Sequence, residues 1–284
     1  MDLGKVGIWW SRSWGIRDEV GLDAGTEIES LGYGAIWSSG GFGSGLSEHF
    51  QRLLTATSHI AVASGIVSIW LTSPDEIARA FAELESRHPG RFLLGLGASH
   101  ALLAENYSRP YSHMVEYLDA LDATEPTVPK HRRVLAALGP RMLELAGARA
   151  AGAHPYFAPV EHTACARQVL GNGPLLAPEV TVVLEQDPTE ARSLARSFAS
   201  GYLTLPNYTN NLRSFGFGDD DFAGHGSDRL VDAIVAWGDL QRIANRVHEH
   251  HEAGADHVCV QIICPEDGFP LAQYQELAPA LLAP

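Results

Sequence analysis

Three features of this chain predict an α/β fold, and within that class a (β/α)8 TIM barrel. Short runs of β-branched and apolar residues alternate with longer amphipathic stretches along its length. Eight such runs occur: Val6–Trp10, Ala35–Ser38, Ile60–Ile66, Phe92–Gly97, Val134–Leu138, Ala153–Tyr156, Val180–Glu185 and Val258–Ile263. Several are apolar at nearly every position, which is the pattern of a parallel strand covered on both faces. Parallel strands joined by right-handed crossovers make an open doubly wound sheet or a closed barrel, and eight strands favour closure. The 284 residues suit one such unit, since α/β barrels run near ~250 residues. Residues 1–284 are therefore expected to form a single domain.

The elements follow in order. Val20, Ala24, Ile28 and Leu31 fall on one face of a first helix, despite Gly21 and Gly25. After the third strand, Ser73-Pro74-Asp75-Glu76 supplies an N-cap, a proline at the first helical position and a capping-box glutamate. Ile77, Ala80, Phe81 and Leu84 then share a face. Gly171 and Gly254 stand where helices stop. Asp187-Pro188-Thr189-Glu190 repeats the start signal before Ala191, Leu194, Ala195 and Phe198. Between strands seven and eight the spacing is long. Tyr202–Phe222 is rich in Asn, Gly and Asp, and a short amphipathic segment, Ser227–Trp237, follows. This stretch, about residues 202–237, is expected to be an insertion over the barrel top.

The composition is 45% hydrophobic and 19% charged, ordinary for a chain with a sizeable core. Its formal net charge of −14 argues against a nucleic-acid or anionic-membrane partner, both of which need a basic footprint. A small anionic ligand needs only a few amides and remains compatible. Neither a secretory signal nor a run long enough to span a membrane is visible, so a cytoplasmic location is expected. The three cysteines, Cys165, Cys259 and Cys264, lack metal-type spacing and read as free thiols. His248, His250 and His251 fall near a helix end without ligand spacing, so no metal site is expected. Lys130-His131-Arg132-Arg133 reads as a solvated charge run at the barrel bottom, and Asp219-Asp220-Asp221 as an exposed turn or cap.

In barrels of this kind the chemistry lies on the loops after the strands. Those loops hold Trp9 and Trp10, Ser38–Phe42, Ser64–Trp70, Gly97–His100, Leu138–Arg141, His154–Tyr156, Glu185 and Gln261–Cys264. Indoles, small residues and few charges suit a flat aromatic ligand better than a sugar or a metal. Leu138-Gly139-Pro140-Arg141-Met142 places free amides at a helix start, where the dipole favours a phosphate; a tight βα turn explains the same residues equally well. Gly95-Leu96-Gly97-Ala98-Ser99-His100 begins like a dinucleotide fingerprint, but His100 occupies the third glycine's place, so an NAD-binding sheet is weakly supported.

Together these segments resemble the luciferase-like monooxygenase superfamily, in particular its coenzyme F420-dependent oxidoreductase branch. The similar stretches are Gly4–Trp9, Gly32–Trp37, Ala63–Trp70, Gly90–His100, Ala136–Leu143, Gly152–Tyr156 and Gly254–Val258, in order through nearly the whole chain. The resemblance implies a bacterial luciferase-like barrel with a deazaflavin across its top, in a homodimer. It matches Gly65 and Ile66 to a bulge, often with a non-prolyl cis peptide, that supports the ring. Ser68 follows where a polar contact to the ring is common. Gly97, Ala98 and Ser99 match the loop along the coenzyme, and Leu138, Gly139, Arg141 and Met142 the segment that binds its phosphate. The chain departs from the family after the second strand. Some relatives place an Asp-His or similar acid–base pair there, whereas here the stretch is Ser38-Ser39-Gly40-Gly41-Phe42-Gly43. Ser39 retains a hydrogen bond to offer the ring, but Gly40 moves no proton. His100 is then the catalytic candidate, because imidazole titrates near neutral pH. Trp9, Trp37, Trp70, His154 and Tyr156 are the expected substrate-pocket wall. The implied reaction is hydride transfer between the deazaflavin and a small-molecule substrate. FMN also carries a phosphate, so an FMN-dependent monooxygenase is an alternative. A non-catalytic flavin- or deazaflavin-binding protein is another.

Overall fold

A computed structural model of the chain describes residues 1–10, 19–39, 46–100, 107–265 and 268–282. Its strands are β1 (Val6–Trp10), β2 (Ala35–Ser38), β3 (Ala61–Ser64), β4 (Val67–Ser68), β5 (Phe92–Gly97), β6 (Arg133–Leu135), β7 (Gly152–Ala153), β8 (Leu175–Leu176), β9 (Glu179–Val183), β10 (Val235–Trp237) and β11 (Val258–Ile262). The helices are α1 (Glu19–Ser30), α2 (Leu46–Ala56), α3 (Pro74–Arg87), α4 (Pro110–Asp122), α5 (Pro140–Arg149), α6 (Val160–Leu170), α7 (Pro188–Tyr202), α8 (Pro206–Arg213), α9 (Asp219–Phe222), α10 (Asp228–Ile234), α11 (Leu240–Glu252) and α12 (Leu271–Leu281).

Every strand pairing is parallel, in the order β10-β9-β11-β1-β2-β3-β5-β6-β7-β8, with β4 beside β5. Only Ala177 and Pro178 separate β8 from β9. On one edge Ala177 N–H donates to Ala153 O (3.0 Å) and Glu179 N–H to Pro155 O (2.9 Å). On the other, Cys259 N–H donates to Pro178 O (2.9 Å). The two pieces are therefore one strand, interrupted where proline has no N–H to give the ladder, and the ring closes through it. This is the TIM barrel that the alternation of strands and helices predicts.

All eight predicted runs contain strand, with three differences. The third ends as strand at Ser64, before a cis peptide between Gly65 and Ile66, and a short further strand, β4, follows just beyond the predicted run. The fifth and sixth end as strand at Leu135 and Ala153; Ala136 and His154 still donate to Leu96 O and Leu135 O, and Ala136–Leu138, His154 and Tyr156 line a cavity. An additional strand, β10, pairs with Thr181, Val182 and Val183 of β9. It lies within the segment read as an insertion, most of which is helical (α8, α9 and α10).

The predicted caps form. Ser73 and Glu76 make a reciprocal capping box at α3, and the Asp187 carboxylate accepts the Thr189 and Glu190 amides at α7. Ile8, Ile36, Val62, Leu94 and Val260 point outward into one apolar layer beneath the helices, with Ile28, Phe50, Leu53 and Leu118. Trp9, Trp37, Ala63, Leu93, Val134 and Cys259 form a separate cluster. Strand periodicity assigns that cluster to the barrel lumen. No helix among the described residues is long and apolar enough to cross a membrane.

The charge run before β6 needs correction. Arg132 and Arg133 are not solvated; they are buried to 8% and 1% exposure. Arg132 grips Glu85 with two hydrogen bonds (2.9 and 2.6 Å) and donates to Phe92 O. Arg133 donates to Arg149 O and pairs with Asp122 at 2.6 Å. A guanidinium has five donors, enough to satisfy the carbonyls that converge at strand starts, and this is why charge alone misled.

Candidate active site

A cavity of about 1230 Å³ opens at the C-terminal ends of the strands. Its deep wall begins with Trp9, Tyr156 and His154. The His154 ring stacks on Trp9 (5.7 Å between centroids, 15°) and on Trp37 (4.2 Å, 14°). Trp9 and Trp37 are register partners across β1 and β2, yet only Trp9 lines the cavity. Trp37 is fully buried, and its indole N–H donates to His257 Nε2 (3.0 Å). It is lumen packing, not pocket wall.

His154 has a fixed tautomer. Its Nδ1 lies 2.6 Å from Ala177 O, which can only accept, so Nδ1 carries the proton. Nε2 is buried without a partner. Burial lowers the imidazole pKa to about 4; the Ala177 carbonyl opposes the shift and His257 adds to it. The ring is neutral at physiological pH.

The cis peptide sits above this ring. A Cβ on Gly65 would come 2.3 Å from Trp9 Cζ3 and 3.3 Å from His154 Nε2, so glycine is required where the chain crosses the aromatic floor. Gly65, Ile66 and Ser68 all line the cavity. Gly97 does not. It makes room for Ile66, whose Cδ1 would lie 2.6 Å from a Cβ there. Ala98, Ser99 and His100 continue the wall, Ser99 in the left-handed region at φ 53°. Trp70 is not on the wall either. It stacks on His113 (4.0 Å) and donates to Ala98 O (2.6 Å), bracing that loop from behind.

At the start of α5, Leu138, Gly139, Pro140 and Met142 face the cavity. No side chain caps this helix at Gly139, and a Cβ on Gly139 would meet nothing within 4 Å. Pro140 has no N–H and Met142 N–H donates to Gly139 O (3.1 Å), so the amides of Gly139 and Arg141 are the ones open there, with the positive end of the helix dipole behind them. Arg141 is turned away, its guanidinium 4.0 Å from the Tyr111 ring centroid. Ser39 lines the wall at the end of β2, while Gly40, Gly41, Phe42 and Gly43 lie outside the described residues.

Sequence reasoning assigned none of the residues on the opposite wall to the site. Asn207, Tyr208, Asn210 and Asn211 of α8, Tyr202 of α7, and His162 and Cys165 of α6 all reach the cavity. The asparagine-rich run after Tyr202 was the available signal. His100 Nδ1 donates to Asn207 Oδ1 (3.0 Å) and the ring packs against Tyr208. Burial lowers the His100 pKa, with the Asn207 contact opposing it. Tyr156 O–H donates to Gln261 Oε1 (2.8 Å) and accepts from Tyr202 O–H (2.9 Å). His162 donates through Nε2 to Leu138 O (2.9 Å), which leaves Nδ1 without a partner; Asn211 Nδ2 is also unpaired.

Two properties define the site. Among the described residues no Asp, Glu, Lys or Arg lines it, so binding relies on rings, amides and neutral polar groups. Three of its residues, His154, His162 and Asn211, carry buried polar atoms with no protein partner. Such atoms are costly unless a ligand or water meets them. The arrangement fits a large flat ligand with a phosphate at the α5 end.

Comparison with known proteins bears on this geometry. A sequence model of the luciferase-like monooxygenase family matches residues 21–257. No curated protein matches the chain by sequence. Among solved structures, an F420-dependent secondary alcohol dehydrogenase, in complex with an F420–acetone adduct, is similar. Its TM-score is 0.75 at 15% identity, covering 98% of both chains. The coenzyme F420-dependent tetrahydromethanopterin reductase from Methanopyrus kandleri gives a TM-score of 0.67 at 16% identity, covering 96% of each chain. The oxygenating constituent of 3,6-diketocamphane monooxygenase from Pseudomonas putida, in complex with FMN, gives 0.65 at 15% identity and the same coverage.

Proposed function

The chain belongs to the luciferase-like monooxygenase family, and from that premise we propose that it is a coenzyme F420-dependent oxidoreductase acting on a small organic substrate. The observation that carries this reading is the uncharged, ring-lined cavity with an uncapped helix end at one side. A phosphate-bearing tricyclic ring satisfies both features. Among its structural relatives, the two named for F420 support the deazaflavin and the FMN complex keeps the flavin as the alternative.

In this reading the amides of Gly139 and Arg141 hold the phosphate, with Leu138 and Met142 beside it, because Met142 N–H is already given to Gly139 O. Ser39, Gly65, Ile66, Ser68, Ala98 and Ser99 flank the ring. Bound there, the deazaflavin would supply two-electron hydride chemistry. The protein's part is to hold the reacting carbon in place, exclude water and move one proton. His100 is the residue assigned to the proton. Burial keeps it neutral near pH 7, and its Nδ1–H is committed to Asn207, so Nε2 is the atom that exchanges a proton with substrate.

Fluorescence titration with F420, with FMN in parallel, tests the cofactor. Saturable F420 binding with FMN at least a hundredfold weaker is expected. Tight FMN binding without F420 binding would transfer the assignment to the flavin monooxygenases. A hydride-transfer assay over alcohols, carbonyls, enones and imines then separates an enzyme from a coenzyme carrier.

A further inference from the structure

We infer that His154 Nε2 is a built hydrogen-bond acceptor subsite at the cavity floor, which takes an O–H or N–H donor from a bound ligand. The inference deepens the redox reading and rests on it in one respect: the ligand is the coenzyme ring or the substrate beside it.

Four observations converge. The Ala177 carbonyl, 2.6 Å from Nδ1, fixes the proton there and leaves Nε2 with only a lone pair. The residue is 1% exposed and Nε2 has no partner, so the lone pair is left unsatisfied by the fold itself. Stacking on Trp9 and Trp37 prevents the ring from turning to find one. The residue above it, Gly65, lines the cavity and has no side chain; a Cβ there would stand 3.3 Å from Nε2 and cover it. An unpaired imidazole nitrogen alone does not mark a subsite, since His251 Nε2 is also unpaired away from the cavity; what sets His154 apart is that it lines the cavity under Gly65. His257, one layer away and off the cavity, has both nitrogens paired: Nδ1 donates to Gly4 O and Nε2 accepts from Trp37.

The chemistry is selective. A lone pair in a dry site rewards a donor and repels a carbonyl or ether oxygen. Because burial holds the imidazole pKa near 4, the acceptor persists through the physiological range.

Nitrogen-15 NMR of the chain labelled at histidine tests this without any assay of turnover. The His154 Nε2 resonance, identified by its loss in His154→Phe, should show the unbonded lone pair of the Nδ1–H tautomer. It should move upfield when a donor arrives. One arm adds F420 or FMN alone; a second adds cyclohexanol and, separately, methoxycyclohexane, with and without coenzyme. A shift on coenzyme addition assigns the donor to the ring. A shift with the alcohol and not with its ether assigns it to the substrate. Absence of a shift in every arm, or equal shifts with alcohol and ether, overturns the subsite. In the arm that responds, His154→Phe should weaken ligand binding about tenfold or more. His154→Gln, whose amide oxygen reaches the place of Nε2, should restore part of it. Failure of both coenzymes to bind, by fluorescence, would sink the redox reading while the alcohol arm still decides the subsite.

Discussion

Where the strands begin, Arg91 donates to Leu54 O, Thr57 O and Ile60 O, and the Glu29 carboxylate accepts the amides of Ser58, His59 and Ile60. Arg132, Arg133 and Arg167 are bonded in the same manner to carbonyls and to Glu85, Asp122 and Asp256. Where the strands end, no charged side chain lines the cavity among the described residues, and His154, His162 and Asn211 each hold a buried polar atom with no partner. One end of the barrel uses its charge to satisfy the backbone groups at the strand starts, with His251 Nε2 the buried polar atom left unpaired there. The other leaves bonds open. Unpaired buried groups cost about 1–3 kcal/mol each, so the contrast separates residues that stabilise the fold from residues placed for a ligand.

The largest effect expected from this contrast is at the bottom. Arg133→Met keeps the aliphatic volume but abandons the Arg149 carbonyl and the pair with Asp122. Breaking a buried ion pair on one side typically costs 3–5 kcal/mol; because Asp122 is half-exposed, about 3 kcal/mol is expected here. Urea unfolding measures it, and coenzyme affinity of the folded fraction should be unchanged. A loss under about 1 kcal/mol would mean that these arginines are surface ornaments after all.

Glu179 sharpens the comparison because it belongs to neither end. It is buried, and accepts only from Thr181 Oγ1 and the Phe157 amide. Burial pushes its carboxyl pKa up to about 7, against the lowering effect of those two donors. A folded pKa above the unfolded value of 4.5 means that unfolding releases a proton. Its contribution is then fully present below pH 4.5, declines as pH rises and is lost above pH 7. The shift corresponds to about 3 kcal/mol. Glu179→Gln keeps a neutral polar group in place and should raise stability by about 2 kcal/mol at pH 8, with little change at pH 4.5. Thermal melts at the two pH values give the answer. Equal changes at both would show that the carboxyl does not titrate with folding.

Much of this was legible in the sequence, and the failures have a common cause. Runs such as Val6–Trp10, Ala35–Ser38 and Phe92–Gly97 state their own ends, because both faces are covered and the apolar pattern stops with the ladder. Val134–Leu138 overran β6 because Ala136–Leu138 is apolar for the cavity, not for the sheet. β10 was missed because three residues carry no readable period. For the site, the glycines and small residues of the βα loops pointed to Gly65, Ala98 and Gly139. Trp37 and Trp70 were misplaced because an indole at a strand end can as well fill the lumen or brace a loop. The α6 and α8 wall depended on tertiary packing, such as His162 against Leu138 and Asn207 against His100, beyond the reach of local pattern.

The smallest structural change proposed is Gly139→Ala, and it probes the ligand end most cleanly. Gly139 caps α5 at φ −80°, a conformation alanine adopts freely, and a Cβ there meets no protein atom within 4 Å. Stability should therefore move by no more than about 0.5 kcal/mol, as for a substitution that disturbs no contact. The added methyl would instead stand in the cradle where a phosphate oxygen must approach the helix amides. Losing one hydrogen bond to an ionised group is worth about 1.5–3 kcal/mol, so a coenzyme affinity loss of about tenfold or more is expected. The dephosphorylated coenzyme should lose nothing. If Gly139→Ala weakens both forms equally, the α5 terminus does not hold the phosphate, and the open cradle is a gap left by a tight βα turn.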